Sequence, residues 1–203
     1  YMADEMEKWL KEEAADGFPR MAEHFADRAR GGVGMIITGG FPPNDEAGLD
    51  SKLASPEQTE QHRLITDAVH AADPDVKICL QILHTGALAG TPACVAPSAV
   101  KSRIGRYTPN ELDEAGIEKQ IADFANCAAL AKSAGYDGVE IIGSAGYLLS
   151  TFLVQKTNLR TDRWGGSWEN RMRFPVEVVR RVRAAVGERF LLIFRISAMD
   201  MLD

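Results

Sequence analysis

The sequence predicts an α/β fold, namely an incomplete (β/α)8 TIM barrel of about four βα units with parallel strands. Apolar strand segments alternate with amphipathic helix segments, a pattern typical of a parallel sheet covered by helices. Glycines and polar residues follow the C-terminal ends of the predicted strands, where barrel active sites are built. No GxGxxG follows the first predicted strand, which disfavours a doubly wound dinucleotide-binding fold.

The composition is that of a globular domain, which we place at residues 1–203. The chain is 45% hydrophobic and 26% charged, enough to build a core. A net charge of −6 without a basic stripe argues against nucleic acid as a partner, and no apolar run is long enough to span a membrane. Three widely spaced cysteines, Cys79, Cys94 and Cys127, indicate no metal site and fit reduced thiols in a cytoplasmic protein.

The first elements carry clear local signals. Residues 2–16 are charge-rich and predict a solvated helix or a loop. Pro19 opens a helix that ends at Gly31-Gly32. Residues 35–38 are apolar and predict a buried strand followed by Gly39-Gly40. Ser55-Pro56-Glu57-Gln58 predicts a capped helix start, with the serine as cap and the glutamine three residues on.

The same alternation continues to the last residues. The remaining predicted elements are a strand at 77–84, a loop at 85–113, a helix from Ile117 that stops at Gly135, a strand at 138–142, a polar stretch at 143–166, a helix at 168–186 and a strand at 190–196. Pro175 should kink the last helix or mark its first turn. Since a barrel needs eight strands, we expect a partial barrel without its first strand and its last three. Exposed sheet edges would then favour an oligomer.

Two polar side chains interrupt apolar strands. Gln81 lies within KICLQILH and Arg195 within LLIFRIS. Burying either side chain costs several kcal/mol unless it is hydrogen-bonded. One interpretation is a network that holds the barrel interior together. The other is recognition of a planar polar ligand, such as the pyrimidine end of a flavin, by an amide and a guanidinium.

Three further features follow strands or fill loops. Tyr147 follows the strand at 138–142 and is either a proton donor to a developing carbanion or a residue packed under the loop. His84 ends a strand, so it is a candidate pocket residue or a residue that positions the loop. The charged stretch 157–166 could hold an anion, but we favour a hydrogen-bonded scaffold.

Residues 138–174 resemble the signature stretch of the old yellow enzyme family, FMN-dependent NAD(P)H:flavin oxidoreductases on a (β/α)8 barrel. The matching blocks are Gly138-Val139-Glu140-Ile141, Gly146-Tyr147-Leu148-Leu149, Thr157-Asn158, Arg160-Thr161-Asp162, Gly165-Gly166 and 169–174. Blocks at 81–86, 96–99 and 194–197 agree in order and spacing. Within the family, the chain is most similar to bacterial 2,4-dienoyl-CoA reductases.

The resemblance implies roles for single residues. Gln81 and Arg195 match positions that bind the FMN isoalloxazine ring, and Gly39 matches a backbone position beside the flavin. Tyr147 matches the proton donor, and His84 matches a position near the flavin whose role stays open. The implied reaction uses NAD(P)H to reduce a conjugated C=C bond of an enoyl thioester, as in fatty acid β-oxidation. Alternatives are an enone or quinone substrate, or a catalytically silent partial barrel.

The resemblance also implies parts that these residues lack. They are the first strand, the later strands that hold the FMN phosphate, and the FAD domain and four-cysteine 4Fe–4S motif of full-length dienoyl-CoA reductases. We therefore expect the chain to hold FMN weakly and to belong to a longer parent protein.

Overall fold

The computed structural model describes residues 17–199, so the prediction for residues 2–16 lies outside the described part. Its helices are α1 (Gly17–Arg30), α2 (Pro56–Ala72), α3 (Glu114–Ser133), α4 (Leu148–Leu153) and α5 (Trp168–Val186). Its strands are β1 (Met35–Phe41), β2 (Lys77–Ile82), β3 (Val95–Ala96), β4 (Asn110–Glu111), β5 (Gly138–Gly143) and β6 (Leu191–Ile196). Across residues 17–199, no helix combines the length and apolar character needed to cross a membrane.

Four strands form one parallel sheet in the order β1-β2-β5-β6. Strands that follow one another in this series along the chain are neighbours in space, so the order never reverses. A doubly wound sheet has a switch point where the order reverses, and this sheet has none in the described part. The α/β class and the parallel pairing predicted from the sequence are therefore confirmed. Strands β3 and β4 form a separate two-residue ladder.

The helices cover one face of this sheet, which we call the outer face. Helix α1 packs against α2, and α3 packs against α5. The core between helices and sheet is aliphatic and aromatic, with Ile65, Ile78, Phe124, Ile141 and Phe174 fully buried. The opposite, inner face has no helix layer in the described part, and Met35 and Leu191 on it remain 46% and 38% exposed.

The helix boundaries follow the sequence signals. The side chain of Gln58 accepts hydrogen bonds from the backbone N–H groups of Ala54 and Ser55, as the predicted capping box requires. Helix α5 spans the predicted residues 168–186 and is capped by Ser167. Pro175 lies inside α5, so the alternative that it marks the first turn is wrong.

Three segments differ from the sequence prediction. Strand β1 does not end before Gly39-Gly40 but runs through them to Phe41, because a bulge between Ile37 and Gly40 shifts the register and lets pairing with β2 resume. Helix α4 lies within 143–166, and six residues are too few for a helical period to be visible. The predicted loop 85–113 contains β3 and β4.

Candidate active site at the carboxyl ends of the strands

Three polar side chains lie on the inner face of neighbouring strands. Gln81 of β2 pairs in register with Glu140 of β5. Arg195 of β6 pairs with Ile142, which lies two residues after Glu140 on β5 and therefore on the same face. The Gln81 Nε2 donates a 2.6 Å hydrogen bond to the Glu140 Oε2. The Arg195 Nη1 lies 4.0 Å from the same oxygen. The three side chains therefore form one polar row across the sheet.

Glu140 orients this row. Its carboxylate is nearly buried, so it needs a donor and a nearby positive charge to offset its desolvation. The amide of Gln81 supplies the donor, which leaves the Gln81 carbonyl oxygen as an acceptor for another group. The Arg195 side chain is 59% exposed and keeps most of its donors available. The row can thus present one acceptor and one cation to a ligand.

The row opens into a pocket of about 260 Å³. The pocket is lined by Gln81, Leu83, Ile142, Ser144, Ala145, Tyr147 and Arg195. The structure therefore brings together three of the residues selected from the sequence, one from each of two strands and one from the turn after β5. Parallel strands place their carboxyl ends at one edge, which explains this convergence.

Tyr147 follows a turn with unusual backbone geometry. Ala145 and Gly146 both have positive φ values, 60° and 77°. Alanine rarely adopts that conformation, so surrounding contacts must hold it there. One such contact is a 3.1 Å hydrogen bond from the Ala145 N–H to the Ser197 Oγ, just after β6. A second runs from the Tyr147 N–H to the Ser144 carbonyl. The turn that carries the tyrosine is therefore tied to the neighbouring strand end.

The segment after β2 supports the other side of Tyr147. The Leu148 N–H, at the start of α4, donates to the His84 carbonyl at 3.0 Å. Gly86 has a φ of 60°, and a Cβ on it would lie 2.9 Å from the Leu148 backbone. Only glycine permits both this conformation and this approach. The backbone of 84–86 thus fixes the first turn of α4.

The His84 ring itself faces the outer side of the sheet. It is 1% exposed, packs nearly parallel to Phe124 of α3, and accepts a hydrogen bond from the Gly86 N–H through Nδ1. Burial, with a smaller contribution from the Lys119 charge, lowers its pKa to about 3, so the ring is neutral. His84 does not line the pocket with Gln81 and Tyr147. Its contribution there is made by its backbone carbonyl.

Gly39 lies in the bulge of β1, and a Cβ there would meet no atom within 4 Å. Its carbonyl accepts a hydrogen bond from the Thr38 Oγ1, which in turn accepts one from the Gln81 N–H at 3.0 Å. The Gly39 backbone is therefore linked to the strand that carries Gln81, with open space beside it.

Glu140 is a site residue that we did not select from the sequence. The signal existed, because Glu140 interrupts the apolar run GVEII just as Gln81 and Arg195 interrupt theirs. The stretch 157–166 agrees with the scaffold interpretation, since Asn158 and Arg160 donate to backbone carbonyls of neighbouring segments. In the described part of the chain, no three His, Cys, Asp or Glu side chains are grouped to hold a metal.

Comparisons with known proteins place this chain in a family. A model of the NADH:flavin oxidoreductase / NADH oxidase family matches residues 8–203. A metal reductase of Desulforamulus reducens is 42% identical over 196 residues, which cover 90% of this chain and 28% of that protein.

Two solved structures are similar as well. An old yellow enzyme homologue from Zymomonas mobilis has a TM-score of 0.76 and 30% identity, over 87% of this chain and 53% of the other. A 2-naphthoyl-CoA reductase in complex with 2-naphthoyl-CoA has a TM-score of 0.78 and 31% identity, over 86% and 29%. The chain therefore spans between about a quarter and a half of these relatives, and its four parallel strands correspond to part of their barrel.

Proposed function

This chain belongs to the NADH:flavin oxidoreductase / NADH oxidase family, and from that membership we propose that it forms the flavin-facing part of an FMN-dependent NAD(P)H oxidoreductase that reduces a conjugated C=C bond. The observation that carries the proposal is the common pocket of Gln81, Tyr147 and Arg195. A binding amide, a cation and a phenol on one wall are what such a reaction requires of the protein.

The residues present fit the isoalloxazine ring of FMN. The pyrimidine edge of that ring alternates hydrogen-bond donors and acceptors. The Gln81 amide can meet them, while the exposed Arg195 guanidinium places a permanent positive charge where the reduced ring gains negative charge. The open space beside Gly39 leaves room for a flat ring near the backbone. When bound, reduced FMN supplies the hydride, and the protein supplies orientation and electrostatics.

Tyr147 is the proton donor in this proposal. Its side chain is half-buried in the pocket wall, and its backbone is fixed by the contacts of Ser144 and His84 around it. A phenol held there can transfer the proton of Oη to the substrate carbon adjacent to the one that receives hydride. Fixing the backbone on both sides limits the positions that the hydroxyl can take.

For the substrate we propose an enoyl thioester of the 2,4-dienoyl-CoA type, a step of fatty acid β-oxidation. In a thioester, the carbonyl draws charge from the conjugated double bond. A structural relative is a reductase solved with a CoA thioester, which supports this class. The 4Fe–4S cluster of dienoyl-CoA reductases would need residues beyond this sequence, because the motif has four cysteines and this chain has three, all buried.

Titration with FMN tests the proposal. We expect saturable quenching of flavin fluorescence by the 203-residue chain in the micromolar range. Arg195→Gln should weaken binding about tenfold, because it removes one charge-assisted contact. Arg189→Gln is the matched control, since Arg189 lies in the turn before β6, outside the pocket. An unchanged dissociation constant in Arg195→Gln would contradict this use of the pocket.

A further inference from the structure

A second, larger cavity adjoins the Tyr147 pocket, with a volume of about 880 Å³. Ala145 lines both cavities, so the turn at Ala145–Gly146 separates them. We call this cavity the basic groove, because Lys101, Arg103 and Lys156 line it and, among residues 17–199, no Asp or Glu does.

The three cations of the basic groove have no polar partner within residues 17–199. None of Lys101, Arg103 and Lys156 makes an ion pair or a hydrogen bond there. Most other lysines and arginines of the described part are paired or bonded to carbonyls, as Lys119 and Arg160 are. In a chain with a net charge of −6, three cations around one cavity that find no carboxylate in the described part raise the local concentration of an anionic ligand.

The basic groove also exposes apolar side chains. Ile104 and Met199 line it and are 85% and 77% exposed, the highest values among large hydrophobic side chains of the described part. Exposed apolar groups next to unpaired charges are typical of binding surfaces. The groove therefore offers a flat or flexible apolar group a place to lie, beside cations that can bind phosphates.

The loop that carries two of these cations is held in place. The Gly105 N–H donates to the Ser102 carbonyl, which closes a turn at the tip of the loop. A Cβ on Gly105 would lie 2.8 Å from the Ala87 carbonyl oxygen, so the loop packs directly on the turn that follows β2. Lys101 precedes this fixed turn and Arg103 lies within it, which reduces the backbone entropy lost when a ligand binds.

We propose that the basic groove binds the diphosphate-bearing nucleotide tail of a ligand whose reactive end lies at Tyr147. The proposal rests on the function proposed above. Both an acyl-CoA and NAD(P)H have such a tail, with a diphosphate that lysine and arginine recognise. The cavity of about 880 Å³ is large enough for a nucleotide tail, and it meets the Tyr147 pocket at Ala145, so one ligand can reach both.

Calorimetric titration of the 203-residue chain tests this site without requiring turnover. The probes are crotonyl-CoA, crotonyl-pantetheine and NADPH, where the pantetheine thioester has the same acyl group but no phosphate. We expect crotonyl-CoA or NADPH to bind about tenfold or more tightly than crotonyl-pantetheine at low ionic strength. Salt should reduce that preference by screening the charges.

Two triple variants locate the effect. Lys101→Gln/Arg103→Gln/Lys156→Gln should lower the affinity for the phosphate-bearing probe to that of crotonyl-pantetheine. Arg180→Gln/Arg181→Gln/Arg189→Gln changes the net charge equally at exposed positions outside the groove and should keep the preference. Circular dichroism melts of both variants are the control for folding.

The outcomes separate the two ligand sources. If the groove variant loses affinity for crotonyl-CoA, the ligand of the groove is the acyl-CoA tail. If it loses affinity for NADPH alone, the ligand is the dinucleotide tail. Equal affinity of the unmodified chain for all three probes, or equal losses in both triple variants, would overturn the proposal. FMN titration is independent of these results, so failure of flavin binding with a responsive groove would refute the proposed function alone.

Discussion

Gln81 lies in β2, and His84 lies two residues beyond the end of that strand, where the Leu83 N–H still donates to the Phe41 carbonyl of β1; yet the two side chains meet opposite environments. Gln81 points to the inner face, bonds to Glu140 and borders an open pocket. His84 points to the outer face, is buried against Phe124 and is kept neutral by a pKa of about 3. Because side chains alternate along a strand, an odd spacing reverses the face. A polar residue at a strand end is thus a site candidate only on the open face.

Two arginines repeat the contrast. The Arg160 side chain is 7% exposed and donates to the carbonyls of Pro97 and Leu112 while pairing with Asp162. The Arg195 side chain is 59% exposed, and its nearest carboxylate oxygen among residues 17–199 is 4.0 Å away. A guanidinium saturated by its own chain holds segments together, whereas an unsaturated one remains available to a ligand.

The largest effect on turnover should come from a substitution on the inner face of the sheet. Tyr147→Phe removes the proposed proton donor and keeps the ring, so turnover of the FMN-loaded protein should fall about 10²–10⁴-fold. Flavin reduction by NADPH should stay unchanged because it needs no proton from the phenol. Stopped-flow absorbance separates the two half-reactions.

Tyr107→Phe is the control for that variant. Tyr107 carries its hydroxyl outside the Tyr147 pocket and contacts Arg106 through its ring. Its loss should leave both half-reactions near their starting rates. Turnover by Tyr147→Phe at the unmodified rate would exclude the phenol as proton donor.

The fold was largely predictable because its signals are local. Apolar strands, the Ser55–Gln58 cap and the 168–186 helix each need only neighbouring residues to be recognised. The bulge in β1 was not predictable, because Gly40 fits closely against Leu83, the residue after β2: a Cβ on Gly40 would lie 2.4 Å from a Leu83 methyl carbon. Such a fit across strands has no local pattern.

The site was predictable in part, and the alternation of the strand explains the difference. Gln81 and Arg195 stood out as polar residues in apolar strands, and Glu140 meets the same criterion. The face of His84 follows when the alternation of β2 is continued two residues past Ile82, once Gln81 is placed inward. The tie between Ser197 and Ala145 joins residues 52 positions apart and leaves no signal in the sequence.

A pH experiment tests whether His84, on the outer face of the sheet, is buried and neutral. Burial lowers the pKa of His84 to about 3 and that of His62 to about 4, against 6.5 in an unfolded chain. Between about pH 4 and 6.5 the unfolded chain therefore binds more protons, and the free energy of unfolding falls as the pH falls. Each histidine contributes about 1.4 kcal/mol per pH unit there.

Urea unfolding at pH 7 and pH 5 measures this slope. His84→Gln should remove about half of the slope contributed by the two buried histidines. His24→Gln should lower the slope less, because His24 is exposed and burial acts less on its pKa. Gln81→Ala, on the inner face, should weaken FMN binding. A slope in His84→Gln equal to that of the unmodified chain would show that His84 is not buried and neutral.

The smallest effect on turnover should come from Ser197, whose hydroxyl accepts a hydrogen bond from the Ala145 N–H in the turn before Tyr147. Ser197→Ala removes one hydrogen bond worth about 1 kcal/mol, so kcat should fall about fivefold with KM and FMN affinity unchanged. Ser98→Ala is the matched control, because its hydroxyl accepts the Leu159 N–H in the scaffold and its loss should lower stability without changing kcat. Recovery of kcat in Ser197→Thr would assign the effect to the hydroxyl. A rise in KM with kcat unchanged, or equal kcat losses in both alanine variants, would instead assign the effect of Ser197→Ala to general loosening of the loops.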